Sequence, residues 1–145
     1  MNWLINTLAT LLLCAPPLLA QEPIDWGVLA DVRFEKKYSE KWGVSYDEAT
    51  FGKLPKLYEG KEISITGYLI PTDALGLSYV LSRNPNATCF FCGGAGPETV
   101  IELRFKPTAL RRYRTDERRT FKGVLQLNTN NLRAFNYVLL QAEPE

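Results

Sequence analysis

The chain has 145 residues, with 17 Lys and Arg against 16 Asp and Glu, and no histidine. So even a balance gives no overall pull toward nucleic acid or an anionic membrane. The absence of histidine excludes every catalytic pair of a nucleophile with an imidazole, and the length suits one domain with an adequate core.

Residues 1–20, MNWLINTLATLLLCAPPLLA, carry no charged side chain. The apolar run is short and is broken by Pro16 and Pro17, so it does not suit a bilayer span. It reads as a secretory signal with a cut near Ala20–Gln21. Two details depart from the usual pattern: the amino end has no Lys or Arg, and Leu18 is large for the third position before a cut. The expected location is therefore outside the cytoplasm, periplasmic or secreted, with no transmembrane span in the mature chain. A lipoprotein anchored at Cys14 is the lesser alternative, because Leu13 is not the small residue that lipidation needs before the cysteine.

Residues 21–59 read as an N-terminal extension and 60–145 as a β-barrel domain. In DWGVLADVRFEKKY, Val28, Ala30, Val32 and Phe34 alternate, which predicts a strand. The following segment has Gly43, Gly52, Pro55 and Gly60 as breakers. It is expected to be loop and short extended pieces, with one helical turn around Ser45–Ala49. Trp42, Phe51, Leu54 and Leu57 are expected to pack down.

From residue 60 the period-two pattern recurs. KEISITGYLIP is the first barrel strand, and Gly67 within it marks a bend. LSYVLSR, TVIELRF, TFKGVLQLNT and YVLLQAE are the other four. KPTALRRYRTDERR suits a short helix with Leu110 and Tyr113 on one apolar face. Five strands with a short helix between the third and fourth is the order of an OB-like barrel, a mostly β fold. Ile63, Ile65, Leu69, Val80, Val100, Leu103, Val124, Leu125 and Val138 should supply much of its core. Adjacent Val124 and Leu125 must face opposite sides.

The pieces WGVL at 26–29, GKEISITGYLIP at 60–71, LS at 81–82 and CFFCGGAGPE at 89–98 stand in a recognisable order. In these the chain resembles a family of small exported bacterial proteins of unknown function with an OB-like core. The resemblance implies export and the barrel. It brings no activity and no residue roles.

Cys89 and Cys92 are the chemical feature of the mature chain, and three readings of them stay open. A local disulfide would close a small ring worth only about 2 kcal/mol, so stability alone is a weak reason for it. As metal ligands, the two thiolates suit a soft ion. Zinc wants four ligands, so it would need a second subunit, making a homodimer, or carboxylates such as Glu98. Copper(I) can be held by two sulfurs. As a thiol–disulfide redox pair they would need a depressed thiol pKa. The run GGAGP, 93–97, disfavours the helix that usually provides it.

Phe90 and Phe91 lie between the cysteines. At least one should anchor in the core, and exposure of both would offer a sticky tip to an exported or membrane-associated partner protein. RRYRTDERR, 111–119, reads as a solvated helix face. Nucleic acid is not an expected partner of an exported chain. No catalytic residues are assigned, and the functional expectation is a non-enzymatic binding module rather than an enzyme.

Overall fold

The computed structural model describes residues 21–86 and 90–145. The leader, Cys14 and Cys89 lie outside the described residues.

The chain runs β1 (Glu22–Pro23), α1 (Trp26–Leu29), β2 (Val32–Ser39), β3 (Val44–Phe51), α2 (Lys53–Tyr58), β4 (Glu62–Pro71), β5 (Tyr79–Ser82), β6 (Val100–Phe105), β7 (Arg118–Leu127) and β8 (Tyr137–Pro144). The main sheet has the order β1-β4-β5-β6-β8-β7, and β4 also pairs with β7. That last pairing closes β4 to β8 into a five-stranded barrel. The pair β6–β8 is parallel, and the other barrel pairs are antiparallel. This is the strand order of an OB barrel, as expected.

Closure depends on β4 changing partners. Its residues Glu62–Tyr68 pair with β7, and Tyr68–Pro71 pair with β5. Gly67 sits at the corner. A Cβ there would come within 2.6 Å of the Ser82 carbonyl oxygen and 2.8 Å of Leu81 Cγ, so only glycine lets the two strands approach this closely.

Ile63, Ile65, Leu69, Leu103 and Leu125 are buried in the barrel core. Val124 is only half-buried, the opposite side to Leu125. Val80 and Val100 are also fully buried, but they belong to a second apolar cluster with Ile70. All four residues of β5 are buried, so both faces of this strand are covered.

The two barrel ends are plugged differently. At one, Tyr137 donates its hydroxyl to the Leu29 carbonyl at 2.7 Å, and its ring meets Phe51 edge-on at 5.3 Å. The Trp26 indole N–H donates to the Thr66 carbonyl at 2.8 Å. The N-terminal extension thus packs on the barrel through side chains buried under α1. At the other end, Tyr113 stacks on Phe105 at 5.5 Å and meets Tyr79 and Phe121 edge-on.

Several local expectations differ. Residues 26–29 form a helical turn and not a strand, because the Asp25 carboxylate accepts the N–H groups of Gly27 and Val28 at 2.7 and 3.3 Å. The strand begins only at Val32. Ser45–Ala49 is part of β3, paired along its length with β2, and a short helix, α2, occupies 53–58. Phe51 is buried, but Trp42, Leu54 and Leu57 are exposed. The helix between the third and fourth barrel strands is a single 3₁₀ turn, Pro107–Ala109. Beyond it Tyr113 goes into the barrel and Leu110 stays out, because the chain there is irregular and a helical face does not form.

Candidate functional site

The cysteine loop leaves the barrel between β5 and β6. Its base is closed where Arg83 N–H donates to the Thr99 carbonyl at 2.9 Å, one step beyond the Ser82–Val100 pair. Asn86 N–H donates to Asp116 Oδ1 at 2.7 Å, tying the outgoing limb to the arginine segment. On the return limb, Thr99 Oγ1 donates to the Gly96 carbonyl at 2.7 Å, and Pro97–Thr99 forms a 3₁₀ turn. Proline and buried Thr99 make this limb rigid.

Between the limbs, Phe90–Cys92 form another 3₁₀ turn. The two phenylalanines divide their roles. Phe90 packs on the outer cluster of Ile70, Val80 and Val100. Phe91 is 49% exposed. Its ring meets Phe90 at 5.6 Å and Phe135 at 5.8 Å, both edge-on. The second apolar cluster is therefore the seat of the loop: β4, β5 and β6 turn small aliphatic side chains outward, and Phe90 covers them.

Phe135 comes from the β7–β8 connection. Its N–H donates to Glu102 Oε2 at 3.1 Å, while Arg104 Nε donates to Glu102 Oε1 at 2.9 Å. The Asn128 amide donates to the carbonyls of Asn131, Ala134 and Phe135, and its oxygen accepts Asn131 N–H at 2.9 Å. One side chain thus braces the whole connection. Beside Phe90 and Pro97, this connection and the β3 residues Tyr46 and Asp47 enclose a groove of about 360 Å³.

Trp42, at the turn between β2 and β3, lies between two cations. Lys41 Nζ is 5.2 Å and the Arg133 guanidinium 5.1 Å from its ring. These contacts hold the exposed hairpin tip over the far end of the same connection.

Glu98 is the carboxylate that the metal reading drew on. It folds back over Gly96, where an added Cβ would stand 2.2 Å from Oε2. Burial pushes the Tyr137 phenol well above the usual tyrosine range, and the charges of Glu98 and Asp31 add to the shift. Among the described residues no three thiol or carboxylate groups converge as a metal site. Phe135, Asn128 and Tyr46 were not legible as site residues. The only signal was the run NTNN, which marks a turn without saying what the turn faces.

No protein-family profile matches the chain, and no curated protein matches it. Among solved structures the chain is similar to a DUF3299 family protein from Pseudomonas aeruginosa PAO1. The TM-score is 0.55 at 13% identity, over 87% of this chain and 97% of that one. At such identity the likeness bears on the fold alone, and it supports the barrel with its extension.

Proposed function

We propose that the protein is an exported, non-enzymatic binding module whose working element is the loop carrying Cys89 and Cys92. The observation that carries this reading is the division between neighbours: Phe90 is seated on the barrel wall and Phe91 is held out against Phe135. A ring that is ordered by edge contacts yet half in water is a ready anchor for a partner protein, since little freedom remains to be lost on binding. In this reading Phe91 meets the partner, and the two cysteines supply the sulfurs for a soft metal ion at the contact. Copper(I) would be held by one chain through Cys89 and Cys92, and zinc by four thiolates across a homodimer.

The test is metal analysis, thiol counting and native mass spectrometry on the full chain prepared reduced and oxidised, with C89S/C92S beside it. The expected result is metal uptake by the reduced protein and none by the double variant, with the fold kept in both. A chain that is always bridged, takes neither metal when reduced and does not exchange thiols would defeat the metal reading. A bridge that forms and breaks readily near the compartment's potential would assign the pair to thiol–disulfide exchange.

A further inference from the structure

The near-neutral chain hides a strong segregation of charge. Residues 102–122 hold eight of the 17 basic side chains and three of the 16 acidic ones, a local net of +5 that the rest of the chain offsets with −4. Several of these cations are neutralised locally: Arg104 by Glu102, Arg119 by Glu117, and Lys106 and Lys122 by Glu143. Arg111, Arg112 and Arg114 are exposed and make no ion pair among the described residues. Tyr113, between them, is drawn into the barrel end, and the Arg111 guanidinium lies over its ring at 4.9 Å.

Exposed leucines stand beside this arginine set. Leu110 directly precedes it and is 50% exposed. Leu75 and Leu77 flank Gly76 on the turn between β4 and β5, and Leu75 is 65% exposed. Leu77 and Leu110 border one shallow groove with Arg104 and Phe105. The turn is stiff. Asp73 Oδ1 accepts the N–H groups of Leu77 and Ser78 at 2.9 and 3.2 Å, and Gly76 takes a φ of 66° that a leucine would resist.

The turn and the arginine segment are also joined. The Tyr79 hydroxyl donates to the Gly76 carbonyl at 2.9 Å and accepts Tyr113 N–H at 2.9 Å. One phenol therefore sets the leucine tip and the arginines in fixed relation.

We propose that Leu75, Leu77 and Leu110, with Arg111, Arg112 and Arg114 beside them, form a docking face for the surface of an anionic lipid bilayer. The charge supplies the complementarity: unpaired guanidinium groups bind phosphate through two N–H groups at once, and a negative surface attracts each of them. The leucines supply the depth. Leu75 stands in the β4–β5 turn with Leu77 just after it, and Leu110 follows the 3₁₀ turn Pro107–Ala109. From these exposed positions a side chain can reach the boundary between headgroups and acyl chains. An acidic protein partner would satisfy the arginines but would leave protruding leucines without a role. No described helix is long and apolar enough to cross a membrane, so attachment of the barrel at this face would be peripheral.

The test is sedimentation of the full chain with vesicles of phosphatidylcholine alone and of phosphatidylcholine mixed with phosphatidylglycerol, at low and high salt. The expected result is binding to the mixed vesicles that high salt removes. R111E/R112E/R114E should weaken it by about a hundredfold or more, and L75S/L77S/L110S by about tenfold. The lysine variant R111K/R112K/R114K keeps the charge and should retain most of the binding, which separates loss of the face from loss of the fold. Equal binding to both vesicle types, unmoved by these substitutions, would place the contact in the apolar residues 1–20 and overturn the proposal. So would the absence of binding to either. Salt-sensitive binding to polyglutamate that matches the vesicle binding and ignores the leucine substitutions would assign the face to an acidic protein instead.

Discussion

The hydroxyl of Tyr79 accepts the backbone N–H of Tyr113 at 2.9 Å, at the barrel end that Tyr113 plugs. The two rings also meet edge-on at 5.5 Å. One aromatic side chain from an irregular segment closes this end, and its neighbour's hydroxyl fixes the segment in place. Tyr79→Phe keeps the ring and leaves the Tyr113 N–H without that partner, so a loss of about 1–3 kcal/mol is expected. Urea unfolding would measure it. Amide exchange at Tyr113 should rise in the same variant, and unchanged protection there would show that the hydroxyl does not hold the segment.

Gly67 makes a sharper prediction because its nearest obstacle is backbone. Alanine would place Cβ 2.6 Å from the Ser82 carbonyl oxygen, and a carbonyl in a paired strand cannot rotate away. Gly67→Ala should cost about 1–3 kcal/mol through overpacking. Gly76→Ala, whose added Cβ would have nothing nearer than 3.6 Å, should lose about 1–2 kcal/mol for its left-handed backbone alone. Equal denaturant midpoints for Gly67→Ala and the wild type would remove the close approach as the reason for glycine at the corner.

The neighbours Phe90 and Phe91 should respond differently to the same truncation. Phe90→Ala opens the outer cluster above Ile70, Val80 and Val100. Its expected cost is about 2 kcal/mol, below the full range for a buried phenylalanine, because the ring is only partly covered. Phe91→Ala should change stability by about 0.5 kcal/mol or less and act instead on partner binding. Equal losses of stability would contradict the division of roles. Thermal unfolding of the pair decides it.

Alkaline pH should expose the buried phenol. The folded pKa of Tyr137 is raised by burial above its unfolded value. The folded state therefore holds this proton more tightly than the unfolded chain does. The resulting stability is fully present below the ordinary tyrosine pKa of about 10, and it is lost as pH rises from there through the folded value. Tyr137→Phe should flatten this alkaline slope. The variant also leaves the Leu29 carbonyl without its donor, so its stability at neutral pH should be lower. An identical slope in both proteins, followed by unfolding at stepped pH, would assign the alkaline loss to other groups.

At acid pH the leucine turn should loosen. The backbone N–H groups of Leu77 and Ser78 hold the Asp73 carboxyl below its usual range. Its contribution is complete above the ordinary aspartate pKa of about 3.9 and fades as pH falls through the lower folded value. Amide exchange at Leu77 and Ser78 should then quicken, with the barrel strands still protected. Asp73→Asn should keep part of that protection and remove its pH dependence. Protection that persists in acid would show that Gly76 and the Tyr79 hydroxyl suffice to hold the turn.

The sequence by itself determined the five barrel strands and their order, because alternation in KEISITGYLIP, TVIELRF and TFKGVLQLNT is a local property of each strand. That Val124 and Leu125 face opposite sides follows from the same pleat, and the structure shows Leu125 to be the buried one. Tertiary structure alone decided what covers the outer face. All four residues of Tyr79–Ser82 are buried, and a strand covered on both sides loses the polar alternation that would identify its inner face. Nothing local could therefore place Val80 and Val100 beneath Phe90, or separate Phe90 from Phe91. The same holds for 26–29, where Val28 and Ala30 keep strand spacing but the Asp25 cap and the pocket for Leu29 select a helical turn. In 107–117, a pattern that suits a helix gives way because the barrel end has room for one large ring. Tyr113 fills it among Tyr79, Phe105 and Phe121, and the irregular backbone delivers it there while leaving three arginines and Leu110 exposed.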